Sequence, residues 1–155
     1  MTSRSIYVST SPKPSGHYSQ AIAANGLLFL AGVGPYDPVT RAVVGRSIEE
    51  QTAQAIRNAA AVLAGAGCGL TDVVNCTAYL AKLERDWDGF DAVYGTFFES
   101  PYPARTTVGT ELKGILVELS IVAAPRPQQL PQSSDAHLTR DPAPSTQRGQ
   151  VTSGS

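Results

Sequence analysis

The sequence predicts an α+β domain in which a single mixed β-sheet carries two helices on one face. Three observations predict it. The apolar segments follow the order strand, hairpin, helix, strand, helix, strand, strand. Asn25-Gly26 separates two short apolar runs, and a capping-box pattern opens a long helical stripe at Ser47. The chain has 155 residues, which is enough for one domain with a hydrophobic core.

The first elements form an edge strand and a hairpin. Ile6-Tyr7-Val8 is a short candidate for an edge strand. Residues 19–23 and 27–31 are apolar runs on either side of Asn25-Gly26, and this dipeptide between two such runs is the strongest local signal for a hairpin. Residues 32–45 are predicted to be a loop because they contain several proline and glycine breakers.

A long first helix follows this loop. Ser47 and Glu50 have the spacing of a capping box, in which each side chain accepts a hydrogen bond from the other residue's backbone amide. The helix is predicted to continue to about Ala66. One face carries Ile48, Thr52, Ala55, Ala59, Val62, Leu63 and Ala66 at helical spacing. Because many of these residues are alanines, the helix can lie close to a sheet.

The second half of the domain supplies a strand, a helix and two more strands. Residues 73–80 are predicted to be a strand, Asp86 or a neighbour to cap a helix, and residues 104–108 and 115–124 to be the last strands. The predicted core face of this helix carries Trp87, Phe90, Val93, Tyr94 and Phe97. The opposite face of the sheet has no cover within one chain, so we expect self-association.

The composition divides the chain and excludes several classes of function. From Arg126 onwards, prolines are mixed with Gln, Ser, Thr and Gly, which predicts a domain over residues 1–125 and a disordered tail over residues 126–155. The net charge of -1 argues against binding to nucleic acid or anionic membranes. No transmembrane run or secretory signal is visible, so we expect a cytoplasmic protein.

Neither metal nor organic cofactor is expected. Cys68 and Cys76 lie eight residues apart with no nearby pair of histidines, which does not fit a zinc site. Both are interpreted as plain thiols in a reducing compartment. The sequence contains no nucleophile-elbow, Walker-type, HExxH or dinucleotide-binding motif.

Arg105 and Glu118 are the strongest candidates for a functional pair. Glu118 interrupts the apolar strand that starts at Ile115, and an acid there is costly to bury unless another group pairs with it. Arg105 lies in a β-like segment thirteen residues upstream, where it could be the neighbour of Glu118 across a sheet. Together they could hold a small carboxylic acid and act on it by acid–base chemistry. The alternatives are a surface arginine at position 105 and, for Glu118, a structural ion pair or a solvent-facing position on an edge strand.

Four other residues have weaker claims. Tyr18 could line a site or pack a loop, and His17 has no visible partner. Gly32 is interpreted as a turn glycine that could also let backbone groups approach a ligand. Asp91 lies among core positions of the second helix and could be only a solvated residue.

Several short motifs, in order, resemble the RidA (YjgF/YER057c/UK114) family. They are Ser15-Gly16-His17-Tyr18-Ser19-Gln20-Ala21, Leu30-Ala31-Gly32-Val33-Gly34-Pro35, Glu49-Glu50-Gln51-Thr52, Pro103-Ala104-Arg105 and Val117-Glu118. The resemblance covers about residues 5–124. It implies a chorismate-mutase-like fold, a homotrimer and ligand sites in clefts between subunits.

The resemblance also implies an activity and roles for individual residues. Catalytic members of the family hydrolyse enamines and imines, such as 2-iminopropanoate, to 2-oxo acids and ammonia. By position, Arg105 would grip the substrate carboxylate and Glu118 would position or activate water. Tyr18, Gly32 and Thr107 would complete the substrate-binding set.

The chain departs from the family pattern at positions around the expected cleft. His17 replaces a proline, Val33 a glutamine, Asp91 an asparagine, and Thr107 a cysteine or serine-like residue. Residues 109–114 form a segment about two residues shorter than in the best-known imine deaminases. Because of these departures, the identity of the substrate stays open, and a dedicated intermediate of one pathway is among the alternatives. The alternative function is a non-catalytic protein that binds small carboxylates or acts as a regulator.

Overall fold

The computed structural model describes residues 3–125 and shows one six-stranded mixed sheet with two helices. The strands are β1 (Ser3–Ile6), β2 (Ala21–Ala24), β3 (Leu27–Leu30), β4 (Val73–Leu80), β5 (Ala104–Gly109) and β6 (Val117–Ala123). The helices are α1 (Ile48–Gly65) and α2 (Leu83–Phe97). The predicted tail over residues 126–155 lies outside the described residues.

The strand order β1-β2-β3-β6-β4-β5 confirms the predicted fold class. All neighbouring strands are antiparallel except β4 and β5, which are parallel. Parallel strands need a crossover connection, and α2 supplies it. The sequence order did not show that β6 lies between β3 and β4, because that placement depends on long-range pairing.

The two faces of the sheet differ in what covers them. Residues of β6 alternate between buried and half-buried positions, and Val117, Leu119 and Ile121 are fully buried under the helices. The opposite face, which we call the open face, carries Phe29 and Val108, whose side chains are 42% and 39% exposed. Within one chain no helix covers this apolar surface, as the sequence predicts.

Helix α1 begins at the predicted capping box. The Ser47 hydroxyl accepts a hydrogen bond from the Glu50 amide at 3.2 Å, and the Glu50 carboxylate accepts from the amides of Ser47 and Arg46. These amide donors lower the pKa of Glu50 because they stabilise its charged form. The predicted alanine-rich stripe of this helix is buried throughout.

Two element boundaries differ from the prediction. Strand β1 pairs with β2 over Ser3–Ile6, so the strand ends where the sequence predicted it to begin. Helix α2 starts at Leu83 and has no side-chain N-cap. The predicted cap, Asp86, is buried inside the first turn and forms an ion pair with Arg85 at 2.7 Å.

The predicted core face of α2 is narrower in the structure. Phe90 and Tyr94 are buried, whereas Trp87 remains 41% exposed. The prediction that Trp87 belongs to the core was therefore wrong. The Trp87 ring lies instead beside the guanidinium group of Arg105.

Asn58 ties helix α1 to the loop that follows β3. Its side chain is buried and donates to the backbone carbonyls of Gly34 at 3.0 Å and Tyr36 at 2.8 Å. Its own oxygen accepts a hydrogen bond from Gln54. Because buried carbonyls need partners, this one amide fixes the path of the loop over the helix.

We expect Asn58→Ala to lower the free energy of unfolding by about 2 kcal/mol, because it leaves the buried carbonyl of Gly34 and the partly buried carbonyl of Tyr36 without this donor. Thr52→Val is the matched control on the same helix. The Thr52 hydroxyl is buried and has no hydrogen-bond partner within residues 3–125, so its loss should be neutral or stabilising. Urea denaturation measures both changes. Equal effects of the two substitutions would contradict this role for Asn58.

Candidate functional site

The structure places Arg105 and Glu118 on opposite faces of the sheet. Strand β4 lies between their strands, and it pairs with Arg105 through Cys76 and with Glu118 through Tyr79. Positions 76 and 79 are an odd number of residues apart, so their side chains point to opposite faces. The expectation that the two residues are neighbours across one sheet was therefore wrong. Each belongs to a separate cleft.

Glu118 lies on the open face in a cleft of about 370 Å³. We call this the glutamate cleft. The residues that line it include Tyr18, Gly32, Tyr36, Arg41, Lys113 and Glu118. Three of the predicted site residues are thus brought together here. Glu118 is half-buried and forms no hydrogen bond or ion pair within residues 3–125, so its carboxylate is available to a ligand.

The close approach of the Glu118 side chain favours glycine at position 32. A Cβ atom at this position would lie 2.5 Å from Oε1 and 2.7 Å from Cδ of Glu118. The nearby backbone also contains an extra residue, because Phe29 pairs with Val122 while Val33 pairs with Leu119. Such bulges re-aim side chains beside functional sites. Gly32 therefore acts through contact with a side chain rather than as a turn glycine.

Two tyrosine hydroxyls face the glutamate cleft. Tyr18 is half exposed, and its hydroxyl accepts a hydrogen bond from the Ser15 amide at 3.0 Å. Burial, followed by the charges of Glu118 and Tyr18, raises the pKa of Tyr36, while Arg41 opposes the shift. The Tyr36 hydroxyl therefore stays protonated at neutral pH and can donate a hydrogen bond. Tyr36 was not predicted as a site residue, because it lies in the loop after β3, where no periodicity marks it.

Three cations, Lys13, Arg41 and Lys113, also line the glutamate cleft. Arg41 has a φ of 63°, a left-handed conformation that is uncommon for a residue with a Cβ atom. The loop is held by the Asp37 carboxylate, which accepts from the amides of Val39 and Thr40. These cations outnumber the one carboxylate in the lining, so the cleft attracts anions.

Arg105 lies on the helix face at the edge of the sheet, in a second cleft formed with α2. We call this the arginine cleft, and it is lined by Asp91, Tyr94, Gly95, Tyr102, Pro103 and Arg105. Arg105 Nη2 donates to Asp91 Oδ1 at 2.6 Å. The side chains are 20% and 52% exposed, respectively. Asp91 is thus a partner of Arg105, which its position among core residues did not predict.

Aromatic rings surround the guanidinium group. Its central carbon lies 4.7 Å from the ring centroid of Tyr94, 5.3 Å from that of Phe90 and 5.6 Å from that of Trp87. Cation–π contacts of this kind stabilise a charge that is largely removed from water. Arg105 is therefore held by three rings and one carboxylate, and its remaining N–H groups can still bind a ligand.

Cys76, Tyr94 and Thr107 place polar side-chain atoms near Arg105. Burial raises the pKa of Cys76 to about 11, and Tyr94 and Arg105 only partly oppose this shift. The thiol is therefore protonated at neutral pH and is no nucleophile. The Thr107 hydroxyl is buried without a hydrogen-bond partner in the described part of the chain, whereas the Tyr94 hydroxyl interacts with the Cys76 thiol. Thr107 shares the helix face with Arg105, and its role in substrate binding stays a prediction.

The described residues show neither a metal site nor a membrane span. No three His, Cys, Asp or Glu side chains within residues 3–125 form a group that could hold a metal ion. Neither α1 nor α2 has the length and apolar character that a membrane-spanning helix needs.

Comparison with known proteins identifies relatives of this chain. Residues 8–125 match the sequence profile of the family described as Endoribonuclease L-PSP. A RutC family protein of Saccharolobus solfataricus is 40% identical over 120 residues, which is 76% of this chain and 94% of the relative. Reactive Intermediate Deaminase A, a chloroplastic protein of Arabidopsis thaliana, is 41% identical over 102 residues, or 64% of this chain and 54% of the relative.

Solved structures show the same fold. A protein of the conserved Rid family from Yersinia pestis superimposes with a TM-score of 0.74 at 33% identity. The match covers 79% of this chain and 99% of that protein.

We expect Gly32→Ala to lower the free energy of unfolding by about 1 kcal/mol, because the new methyl group must displace the Glu118 carboxylate. In a Glu118→Ala background the same change should be neutral or stabilising, since the φ of Gly32 is not in the left-handed region. Thermal denaturation of the double-mutant cycle measures the coupling. Additive effects would show that the two residues do not touch.

Proposed function

We propose that this chain, which belongs to the Endoribonuclease L-PSP family that includes the RutC and Rid proteins, is a hydrolytic deaminase of reactive 2-imino acids and their enamine tautomers. The products are a 2-oxo acid and ammonia. One observation carries the proposal. Each chain presents a fixed guanidinium group in one cleft and, in the other, a carboxylate that has no hydrogen-bond partner among residues 3–125.

Arg105 is the proposed anchor for the substrate carboxylate. A guanidinium group matches a carboxylate with two parallel N–H···O bonds, a geometry that lysine cannot reproduce. Three rings and Asp91 already hold the side chain, so little conformational entropy is lost when a ligand binds. Small anions would be drawn to the neighbouring site by the cations of the glutamate cleft.

Completing the site requires a second chain. Arg105 and Glu118 point away from each other within one chain, so one subunit would supply Arg105 and another Glu118. We propose a homotrimer in which the apolar open face is buried between subunits. The glutamate cleft lies on that face, and Arg105 is on strand β5 at the sheet edge, where a neighbouring chain can approach it.

The proposed reaction is addition of water followed by loss of ammonia. Glu118 accepts a proton from water as the oxygen bonds to the imine carbon, giving a tetrahedral intermediate. Glu118 then passes this proton to the nitrogen, the C–N bond breaks to release ammonia, and the C=O bond of the 2-oxo acid forms as the hydroxyl proton returns to Glu118. The protonated hydroxyl of Tyr36 can donate a hydrogen bond within this cleft. Imines are already electrophilic, so positioning and modest acid–base catalysis suffice.

A non-catalytic protein that binds small carboxylates is the second candidate. It is favoured by the fixed position of Arg105, because a held guanidinium group can bind a small carboxylate without help from a base. Binding of 2-oxo acids without turnover of any imine would select this function. Cleavage of RNA at low salt is a separate activity to test, and the small net charge of -1 argues against it.

We expect Arg105→Ala and Arg105→Lys to lower kcat/KM for 2-iminopropanoate by about 100-fold or more, because neither variant can bind the carboxylate in a bidentate manner. Glu118→Gln should lower kcat by a similar factor of about 100, since it removes the base. The substrate is generated in situ, and the formation of pyruvate is compared with the uncatalysed rate. Arg46→Ala changes an exposed arginine outside both clefts and serves as the control. Unchanged rates in the Arg105 variants would contradict the proposed activity.

A further inference from the structure

We infer that the Arg105–Asp91 pair selects ligands that carry a positive nitrogen next to their carboxylate, so that Asp91 determines specificity. The pair favours an α-iminium carboxylate, or its stable counterpart the α-ammonium carboxylate, over the 2-oxo acid. This inference rests on the proposed function in that it places the ligand carboxylate on Arg105.

The geometry of Asp91 supports this role. Its Oδ1 accepts from Arg105 Nη2 at 2.6 Å, while Oδ2 has no hydrogen-bond partner within residues 3–125. The Asp91 side chain is 52% exposed, and both residues line the arginine cleft. A ligand that reaches Arg105 therefore meets a free carboxylate oxygen beside it.

The surroundings of Arg105 restrict how a ligand can approach. Tyr94, Phe90 and Trp87 lie around the guanidinium group, with ring centroids 4.7 Å, 5.3 Å and 5.6 Å from its central carbon. These rings offer no acidic or basic group to a ligand. The positive charge of Arg105 and the negative charge of Asp91 are thus the charges that a ligand in this cleft contacts within one chain.

The two charged groups of an α-iminium carboxylate are complementary to those of Arg105 and Asp91. Its carboxylate can accept from Arg105 while its N–H group donates to Asp91, and the two ligand groups are separated by a single carbon atom. Hydrolysis replaces the nitrogen with a carbonyl oxygen, which is an acceptor only. The 2-oxo acid then places an acceptor and a net negative charge against Asp91, which weakens its binding and favours its release.

Asp91→Asn isolates the charge because asparagine can still accept the hydrogen bond from Arg105 with its side-chain oxygen. Asp88→Asn is the matched control. Asp88 lies on the exposed side of the same helix and outside the arginine cleft. It carries the same charge less than one turn away, so general electrostatic effects on ligand binding are present in both variants.

The test is calorimetric titration of the full-length protein with pyruvate and L-alanine. Because the Asp91 side chain is 52% exposed, solvent screening limits each effect. We expect Asp91→Asn to strengthen pyruvate binding about 5–10-fold and to weaken alanine binding about 5–10-fold. Asp91→Glu should restore the wild-type preference, and Asp88→Asn should leave it unchanged. A change of the same sign for both ligands, no change, or an equal shift in the Asp88 variant would overturn the inference.

The same titrations separate this inference from the proposed function. One outcome is that pyruvate binds, that Arg105→Ala abolishes this binding, and that Asp91→Asn leaves the ligand preference unchanged. The role of Asp91 in selectivity is then wrong, while the role of Arg105 as the carboxylate anchor stands. Another outcome is that Asp91→Asn strengthens pyruvate binding and weakens alanine binding as expected, but no imine is hydrolysed. The proposed deaminase activity is then wrong, while the role of Asp91 in selectivity stands. Failure of the wild-type protein to bind either ligand would overturn both.

Discussion

The alternation of side chains along β-strands is the constraint on which this site depends. Arg105 pairs with Cys76 and Glu118 pairs with Tyr79, so the two functional candidates lie on opposite faces of one sheet. No rotamer change can bring them together, because β4 and the sheet itself separate them. If the proposed function holds, each chain carries two half-sites and the chemistry requires chains to meet.

The half-sites are held in different ways, and their electrostatics differ accordingly. Arg105 is fixed by aromatic rings and by Asp91, which leaves a dipolar pair of charges at the sheet edge. Glu118 lies against the bare backbone of Gly32, on a loop that Asn58 fastens to helix α1. A ligand between subunits would thus contact a preformed anchor on one side and an available base on the other.

The sequence predicted the elements better than their arrangement. The capping box at Ser47 and the turn at Asn25-Gly26 are local signals, and both elements form as expected. The faces of Arg105 and Glu118 could not be predicted, because they depend on the registers in which β5 and β6 pair with β4. Tyr36 was missed, and the pairing of Asp91 with Arg105 was not predicted, for a related reason, since contacts distant in sequence bring each of them to a cleft.

The most direct test of the shared site is activity in mixed assemblies of two inactive chains, Arg105→Ala and Glu118→Gln. If each site takes Arg105 from one subunit and Glu118 from another, random mixing should restore about one quarter of the wild-type sites. Unfolding and refolding the two chains together, with mixing verified by a mass tag on one of them, permits the measurement in the imine assay. The account predicts recovered activity. No recovery in assemblies shown to contain both chains would contradict it.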